Sequence, residues 1–456
     1  MQLQRLRRPS RPRVGRAASR LASWALGLAM LIGVAPAANA QSLFELHAAA
    51  RGFDATYLAA RAAADSAQYR AEQAHALRRP QVGLAVSANR SSSDDGAVDS
   101  TIRTTSVAVN ATQSIFNRAN DVTIARADRS LDSAKADVEL AEQDLIVRVA
   151  QAYFDMLTAQ EALSAAQASK TAIAEQLASV KRNFDVGTGT ITDMREAQAR
   201  FDLATAQGIA ADNDLRTKQI ALDTLTGRNG VRPRPLAGPV TLAPLLLPGS
   251  VESWLASTDD SPTVRKALVG YDVAKLETDK ARAGRMPTVG LAGSVGRFNT
   301  QASPQTPINQ TGSGTATSLS IVLNLPLFTG HATQNRIKET LLLEEQSRNL
   351  LEVARRGVAQ TTRVAYFGVQ SLQAQVKALE AAESSSQLAL DATRLGYKAG
   401  VRVNLDVLNA QTQLFTTRRD LAKARYDVVV DTLRLRQAAG TLKLDDVLAV
   451  TRLLSG

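Results

Sequence analysis

Between Asn117 and Val186 the chain runs for seventy residues without a glycine or a proline. Apolar positions recur there at strides of three and four: Ile124, Ala127, Leu131, Ala134, Val138, Ala141 and Leu145, then Ala152, Met156, Ala159 and Leu163. That is the heptad pattern of a helix laid along another helix. Large and small residues alternate, so a neighbouring helix can approach closely at each alanine. About 65 helical residues would span roughly 100 Å at 1.5 Å per residue. A partner helix is marked by a strict seven-residue series, Met194, Phe201, Gly208, Leu215 and Leu222. The same register returns at Val407, Leu414, Leu421, Val428 and Leu435. Helices this long are unusual in a compact globule and suit coiled-coil hairpins.

A second pattern has period two. Val82, Leu84 and Val86 alternate with Gly83, Ala85 and Ser87; Val107 and Val109 with Ala108 and Asn110; Val289 and Leu291 with Gly290 and Ala292. Leu319, Ile321, Leu323 and Leu325 alternate with Ser318, Ser320, Val322 and Asn324. The spacing predicts four strands of about ten residues, a length that crosses a membrane. They are joined by long polar loops, Arg90 to Thr101 and Asn299 to Thr315. An ordinary soluble sheet with one buried face is the competing reading. Four strands cannot close a barrel, and an open sheet in lipid leaves its edges unpaired. A membrane reading therefore requires several copies, and three give twelve strands, a permitted even number.

The two patterns occur twice in one order. Pro80-Gln81-Val82-Gly83-Leu84-Ala85 returns as Pro287-Thr288-Val289-Gly290-Leu291-Ala292. Ala152-Tyr153-Phe154 returns as Ala365-Tyr366-Phe367, and Gly187, Asp193 and Ala197-Gln198 as Gly400, Asp406 and Ala410-Gln411. Matches in sequence order indicate two structural repeats. The expected organisation is a leader at 1–40, repeats at 41–227 and 251–440, a linker at 228–250 and a tail at 441–456. Each repeat reads helix, strand, loop, strand, long helix, turn, long helix. The leader has seven arginines from Arg5 to Arg20, an apolar stretch from Leu21 to about Val34, and Ala38-Asn39-Ala40 as a cleavage signature before Gln41. These are the parts of a secretory signal peptide.

With these elements in place, the chain resembles the TolC family of trimeric outer-membrane exit ducts. The most specific stretch is Tyr397-Lys398-Ala399-Gly400-Val401-Arg402-Val403-Asn404-Leu405-Asp406-Val407-Leu408-Asn409-Ala410-Gln411, supported by Leu421-Ala422-Lys423-Ala424-Arg425-Tyr426 and Gly440-Thr441-Leu442. The first-repeat counterpart is Asn183-Phe184-Asp185-Val186-Gly187 with Ile191-Thr192-Asp193. The resemblance implies a mainly α fold with a β-barrel part: four transmembrane strands per chain, twelve in a homotrimer, on a helical tunnel in the periplasm. It implies a periplasmic adaptor and an inner-membrane ABC or other efflux transporter as partners. The cargo would be secreted proteins, by type I secretion, or small toxic compounds. No cofactor is implied.

Two turns carry the candidate site. Gly187 and Gly400 end a long helix and allow the left-handed turn that folds the chain back. Asp193 and Asp406 lie near the start of the return helices, where a carboxylate caps or complements the helix dipole. Around a threefold axis Asp406 would instead form a ring of carboxylates that favours cations. Family members can carry a second aspartate one turn later; this chain has Asn409 there, so one acidic and one neutral ring are expected. The resemblance also implies that Tyr397 and Arg402 pair with Asp193 or Thr192 and hold the entrance shut.

Charge and composition narrow the alternatives. Net charge is +11, but the seven leader arginines have no acidic counterparts, leaving an excess of four bases in the rest. A nucleic-acid binder loses most of its support. Zero cysteines remove disulfides, thiol nucleophiles and a lipid anchor at cysteine, and three histidines leave little for a metal centre. Gly187-Thr188-Gly189-Thr190 lacks the Gly-Lys-Ser/Thr of a phosphate loop. Asp94, Asp95 and Asp99 are either a solvated loop or a surface calcium site. Tyr153-Phe154 and Tyr366-Phe367 read as packing between helices. No nucleophile–base pair is found, so a non-enzyme is expected. A soluble periplasmic coiled-coil scaffold or adaptor is the alternative function.

Overall fold

The computed structural model describes residues 41–94, 99–235, 249–303 and 311–455. The expected leader, Asp95 and most of the linker lie outside them. The elements in order are α1 (Leu43–Phe53), α2 (Ala55–His75), β1 (Gln81–Asp94), β2 (Asp99–Phe116), α3 (Arg118–Asp185), α4 (Ile191–Thr226), α5 (Val251–Ala256), α6 (Pro262–Ala283), β3 (Thr288–Ala302), β4 (Gly312–Asn324), α7 (Ala332–Lys398), α8 (Asn404–Ala438) and α9 (Leu444–Ser455). At 68 and 67 residues, α3 and α7 each run about 100 Å.

The helix starts follow local chemistry. Asn117 caps α3 by accepting from the backbone N–H groups of Ala119 and Asn120. Ser42 and Glu45 make a reciprocal capping box on α1. The second heptad series is buried throughout: Val407, Leu414, Leu421, Val428 and Leu435 are all at most 2% exposed. In α4 the same series is less covered, with Leu222 buried and the other four half-buried.

The helices pack side by side in two tiers. Near the sheet the order is α2–α3–α6–α7; toward the far tips it is α4–α3–α8–α7. In the upper tier Glu277 of α6 accepts from Arg126 of α3 at 2.6 Å and Arg336 of α7 at 3.0 Å, tying three helices together. Between the tiers lies the main core, where α1, α4 and α9 close over α3 and α8. Tyr153, Phe154 and Tyr426 are its aromatic centre, with ring centroids 5.3 and 5.7 Å apart in successive pairs. The Tyr153 hydroxyl donates to the Arg234 carbonyl at 2.8 Å, and burial pushes its ionisation upward. The second pair differs from the packing expected for it. Phe367 is 55% exposed, because no helix among the described residues covers its face of α7.

The sheet order is β1-β2-β3-β4, antiparallel throughout. The strands are longer than the ten residues expected, at 14, 18, 15 and 13. Most of the anticipated loops is strand: the β1–β2 ladder continues to Asp94↔Asp99 and β3–β4 to Thr300↔Gly312. Hydroxyl pairs hold part of this extension, as with Ser92 and Thr101 at 3.3 Å and Thr104 and Thr300 at 3.3 Å. One face is apolar. Val82, Leu84, Val86, Leu319, Ile321 and Leu323 lie on it, between 66% and 77% exposed. The other face is mostly small and polar apart from Ile102, Phe298 and Val322, with Ser87–Ser106 and Ser294–Ser318 hydroxyl pairs at 2.8 Å.

Candidate functional site

The two long hairpins turn back through the same local device. After α3, the N–H groups of Thr188 and Gly189 both reach the Asn183 carbonyl, and Gly187 sits at φ +78°. After α7, those of Val401 and Arg402 reach the Gly396 carbonyl, and Gly400 sits at φ +77°. The left-handed conformation is open to glycine and costs other residues roughly 1–2 kcal/mol. Both turns leave apolar side chains exposed, with Val186 at 73% and Val401 at 77%.

The return helices start differently. Thr190 caps α4, accepting from the Asp193 N–H at 3.1 Å while its hydroxyl donates to the Asp193 carboxylate at 2.7 Å. Within one chain Asp193 therefore acts in the cap, and Thr192 beside it is exposed. Val403 precedes α8 without a side-chain cap, and Asp406 supplies the first-turn carboxylate. Within one chain Arg402 lies 3.6 Å from Asp406. Tyr397 packs against the Leu390, Val407 and Leu414 cluster between α7 and α8.

Four residues that sequence reasoning missed join the two hairpins of one chain. Leu408 is fully buried among Ile173, Leu177, Ala197 and Ala204 of the first hairpin. Gln176 donates to Asn404 at 2.6 Å, and Arg200 donates to Asn409 at 2.9 Å. Asn409 is thus held by a cation from α4. The faint sequence signal was the offset of Asn404, Leu408 and Gln411 from the main heptad of α8. Together, the contacts fix α8 between α7 on one side and α3–α4 on the other.

The tips hold a carboxylate, a cation and exposed apolar turns, with no cluster of metal-binding side chains among the described residues. Such an arrangement binds, gates or filters. A family model, outer membrane efflux protein, matches residues 50–228 and 257–441.

The chain belongs to the outer membrane efflux protein family.

It is 30% identical over 412 residues to the outer membrane protein TolC of Vibrio cholerae, covering 90% of this chain and 93% of that one. It is 34% identical over 327 residues to the alkaline protease secretion protein AprF of Pseudomonas aeruginosa, covering 69% and 65%. Among solved structures it shares the fold of CusC, with a TM-score of 0.76, 21% identity and coverage of 88% and 92%. The Vibrio cholerae outer membrane protein VceC gives a TM-score of 0.73 at 20% identity, covering 87% and 96%. This family member is an outer-membrane exit duct of the secretion and efflux class, with its helical tunnel on the periplasmic side. Its family consists of channel proteins, not enzymes. A soluble scaffold is not favoured, and the exposed apolar face of the sheet has its place in lipid.

Proposed function

We propose that three copies of this chain form a closed duct that docks a periplasmic adaptor and an inner-membrane transporter and exports proteins by type I secretion. The observation that carries this reading is the pair of open edges. Among the described residues β1 and β4 each have one side without a strand neighbour, and the sheet carries an apolar face that water does not favour. The helical tiers have matching open edges. Tyr69 of α2 and Ile209 and Ile220 of α4 are 65–68% exposed at one end of the tiers. Leu342, Val353, Leu388 and Leu395 of α7 are 65–72% exposed at the other. Joining these edges between copies buries both sets.

The protein-secretion cargo follows from likeness to AprF and to the proteases secretion protein PrtF of Dickeya chrysanthemi. The adaptor contacts the exposed turns at Gly187 and Gly400. Asp406 forms the acidic ring of the entrance, Asn409 the neutral one above it, and Tyr397, Arg402, Thr192 and Asp193 hold neighbouring hairpins together. The repeats at 41–227 and 251–440 each supply one hairpin. The deciding measurement is the native mass of the mature protein extracted in mild detergent from outer membranes. A particle of three chains is expected; a monomer would overturn the reading.

A further inference from the structure

Only three charged residues lie within the strands, apart from the aspartates that close the first hairpin. They are Arg90 of β1, Arg103 of β2 and Arg297 of β3. The register puts all three on the apolar face. Arg90 follows Val82, Leu84 and Val86 at even positions, and Arg103 and Arg297 share the odd positions of Val109 and Val295. Arg90 and Arg103 are direct cross-strand partners. Like charges opposite each other on one face destabilise a sheet. Among the described residues none of the three arginines has an acidic partner, although 26 ion pairs are formed elsewhere.

Their height gives the charges a meaning. Same-face rows are about 6.8 Å apart along a strand. The apolar rows run from Phe116, Val289 and Leu323 at the helix end to Val86 and Val107. Those five rows span about 27 Å of strand, or roughly 20 Å of height at a 40° tilt. The Arg90–Arg103 row lies two rows further from the helices, about 30 Å above the first. Since the helices are periplasmic, this is the headgroup level of the outer leaflet. Arg297 sits about 10 Å lower, in the row of Val86 and Val107, where a long stem carries its guanidinium up toward the interface.

We propose that Arg90 and Arg103 form a lipid-binding clamp on the outer wall of the barrel, holding a phosphate of the phosphorylated glycolipid of the outer leaflet. Two guanidinium forks facing the same way match phosphate oxygens bidentately, and the anion turns a repulsive pair into a bridged one. The apolar rows below receive the acyl chains, and Arg297 supplies a third cation toward the same headgroup. The proposal rests on the barrel reading above.

The test uses the full-length mature protein, purified from outer membranes and delipidated in detergent. Native mass spectra first establish the number of chains in the particle. Diphosphoryl lipid A is then titrated in, with dephosphorylated lipid A as control, against the wild type, the Arg90→Gln/Arg103→Gln variant and the single Arg103→Gln variant. We expect diphosphoryl lipid A to be retained by the wild type at least tenfold better than by the double variant, with the single variant between them. The dephosphorylated lipid should be retained weakly and equally by all. Without lipid the double variant should be at least as heat-stable as the wild type, because a like-charge pair is gone. If the double variant does not assemble, the wild type and the single variant decide the matter. Three-chain particles with equal retention of both lipids, or variants that retain diphosphoryl lipid A fully, would overturn the clamp and leave the duct intact. Absence of a three-chain particle would instead overturn the duct.

Discussion

Replacing Leu408 by alanine should loosen the entrance far more than removing the exposed Arg200–Asn409 link. Leu408 is 0% exposed, enclosed by Ile173, Leu177, Ala197 and Ala204, with Phe201 packed alongside. Leu→Ala at such a site costs about 2–5 kcal/mol, from lost burial and the cavity left behind. The Arg200–Asn409 bond is exposed, and its removal costs at most about 1 kcal/mol. At 1.36 kcal/mol per factor of ten, the first change raises local opening of the α8 start by about 30- to 5,000-fold and the second by less than about 10-fold.

Hydrogen exchange of the amides of residues 404–412 in the assembled particle reads this opening directly. Leu408→Ala should speed exchange there by the larger factor and raise the resting ion leak of the particle in planar bilayers. Arg200→Ala should do neither by more than its small share. Val376→Ala is the control, since Val376 is buried between α7 and α8 in a cluster separate from the tips. If Arg200→Ala equals Leu408→Ala, or if Val376→Ala accelerates the same amides, apolar keying of the hairpins is not what holds the entrance.

Asp406→Asn should reduce the cation preference of the pore, and an unchanged reversal potential under a salt gradient would defeat the acidic ring. His47 is buried in α1, and burial, with Arg51 nearby, lowers its pKa to about 4 from 6.5. Between those values the unfolded chain binds the proton and the folded chain does not. Stability is therefore full above pH 6.5 and falls by about 3 kcal/mol as pH drops to 4. His47→Leu should flatten that part of the pH dependence in thermal melts. Gly440→Ala should be severely destabilising, because a Cβ there would lie 2.5 Å from both Ser261 Cα and Cβ. Gly400→Ala should cost only about 1–2 kcal/mol, since its φ is also positive but nothing lies within 4 Å; matching melting points for the two would refute the distinction.

The long helices were legible because burial follows period. In α8 every member of the Val407 series is enclosed, so spacing alone revealed the seam. The outer strand ends were not legible, because Arg90, Ser92, Thr101, Arg103 and Thr105 break the apolar alternation while the backbone ladder continues. Backbone pairing leaves no mark on composition there, and a run of Ser, Thr and Asn reads as loop. The hairpin turns were visible in Gly187 and Gly400. The links Arg200–Asn409 and Gln176–Asn404 were not, since they join positions 209 and 228 residues apart through the relative register of two coiled coils. The resemblance of Tyr366-Phe367 to Tyr153-Phe154 was real in sequence and misleading in packing. The first pair lies under α1 and α9, while Phe367 faces outward.

The open edges constrain more than the need for partners. A two-fold pairing of β1 with β1 of a second copy would keep the strands antiparallel, but it would point the two sets of helices to opposite ends of the sheet. In a membrane that places one helical tunnel on the wrong side. Head-to-tail pairing of β4 with β1 of the next copy keeps every helix on one side. It also keeps strand directions alternating, because each chain contributes an even number of strands. The helical tiers impose the same polarity, since α7 bounds one end of both tiers while α2 and α4 bound the other. Contacts of this head-to-tail kind close into rings when the rotation permits. Two copies would give eight strands, whose interior side chains largely fill the lumen. Twelve strands are the smallest closed set from this chain that leaves room for cargo, so the requirement for an open duct, added to the edge chemistry, selects three copies.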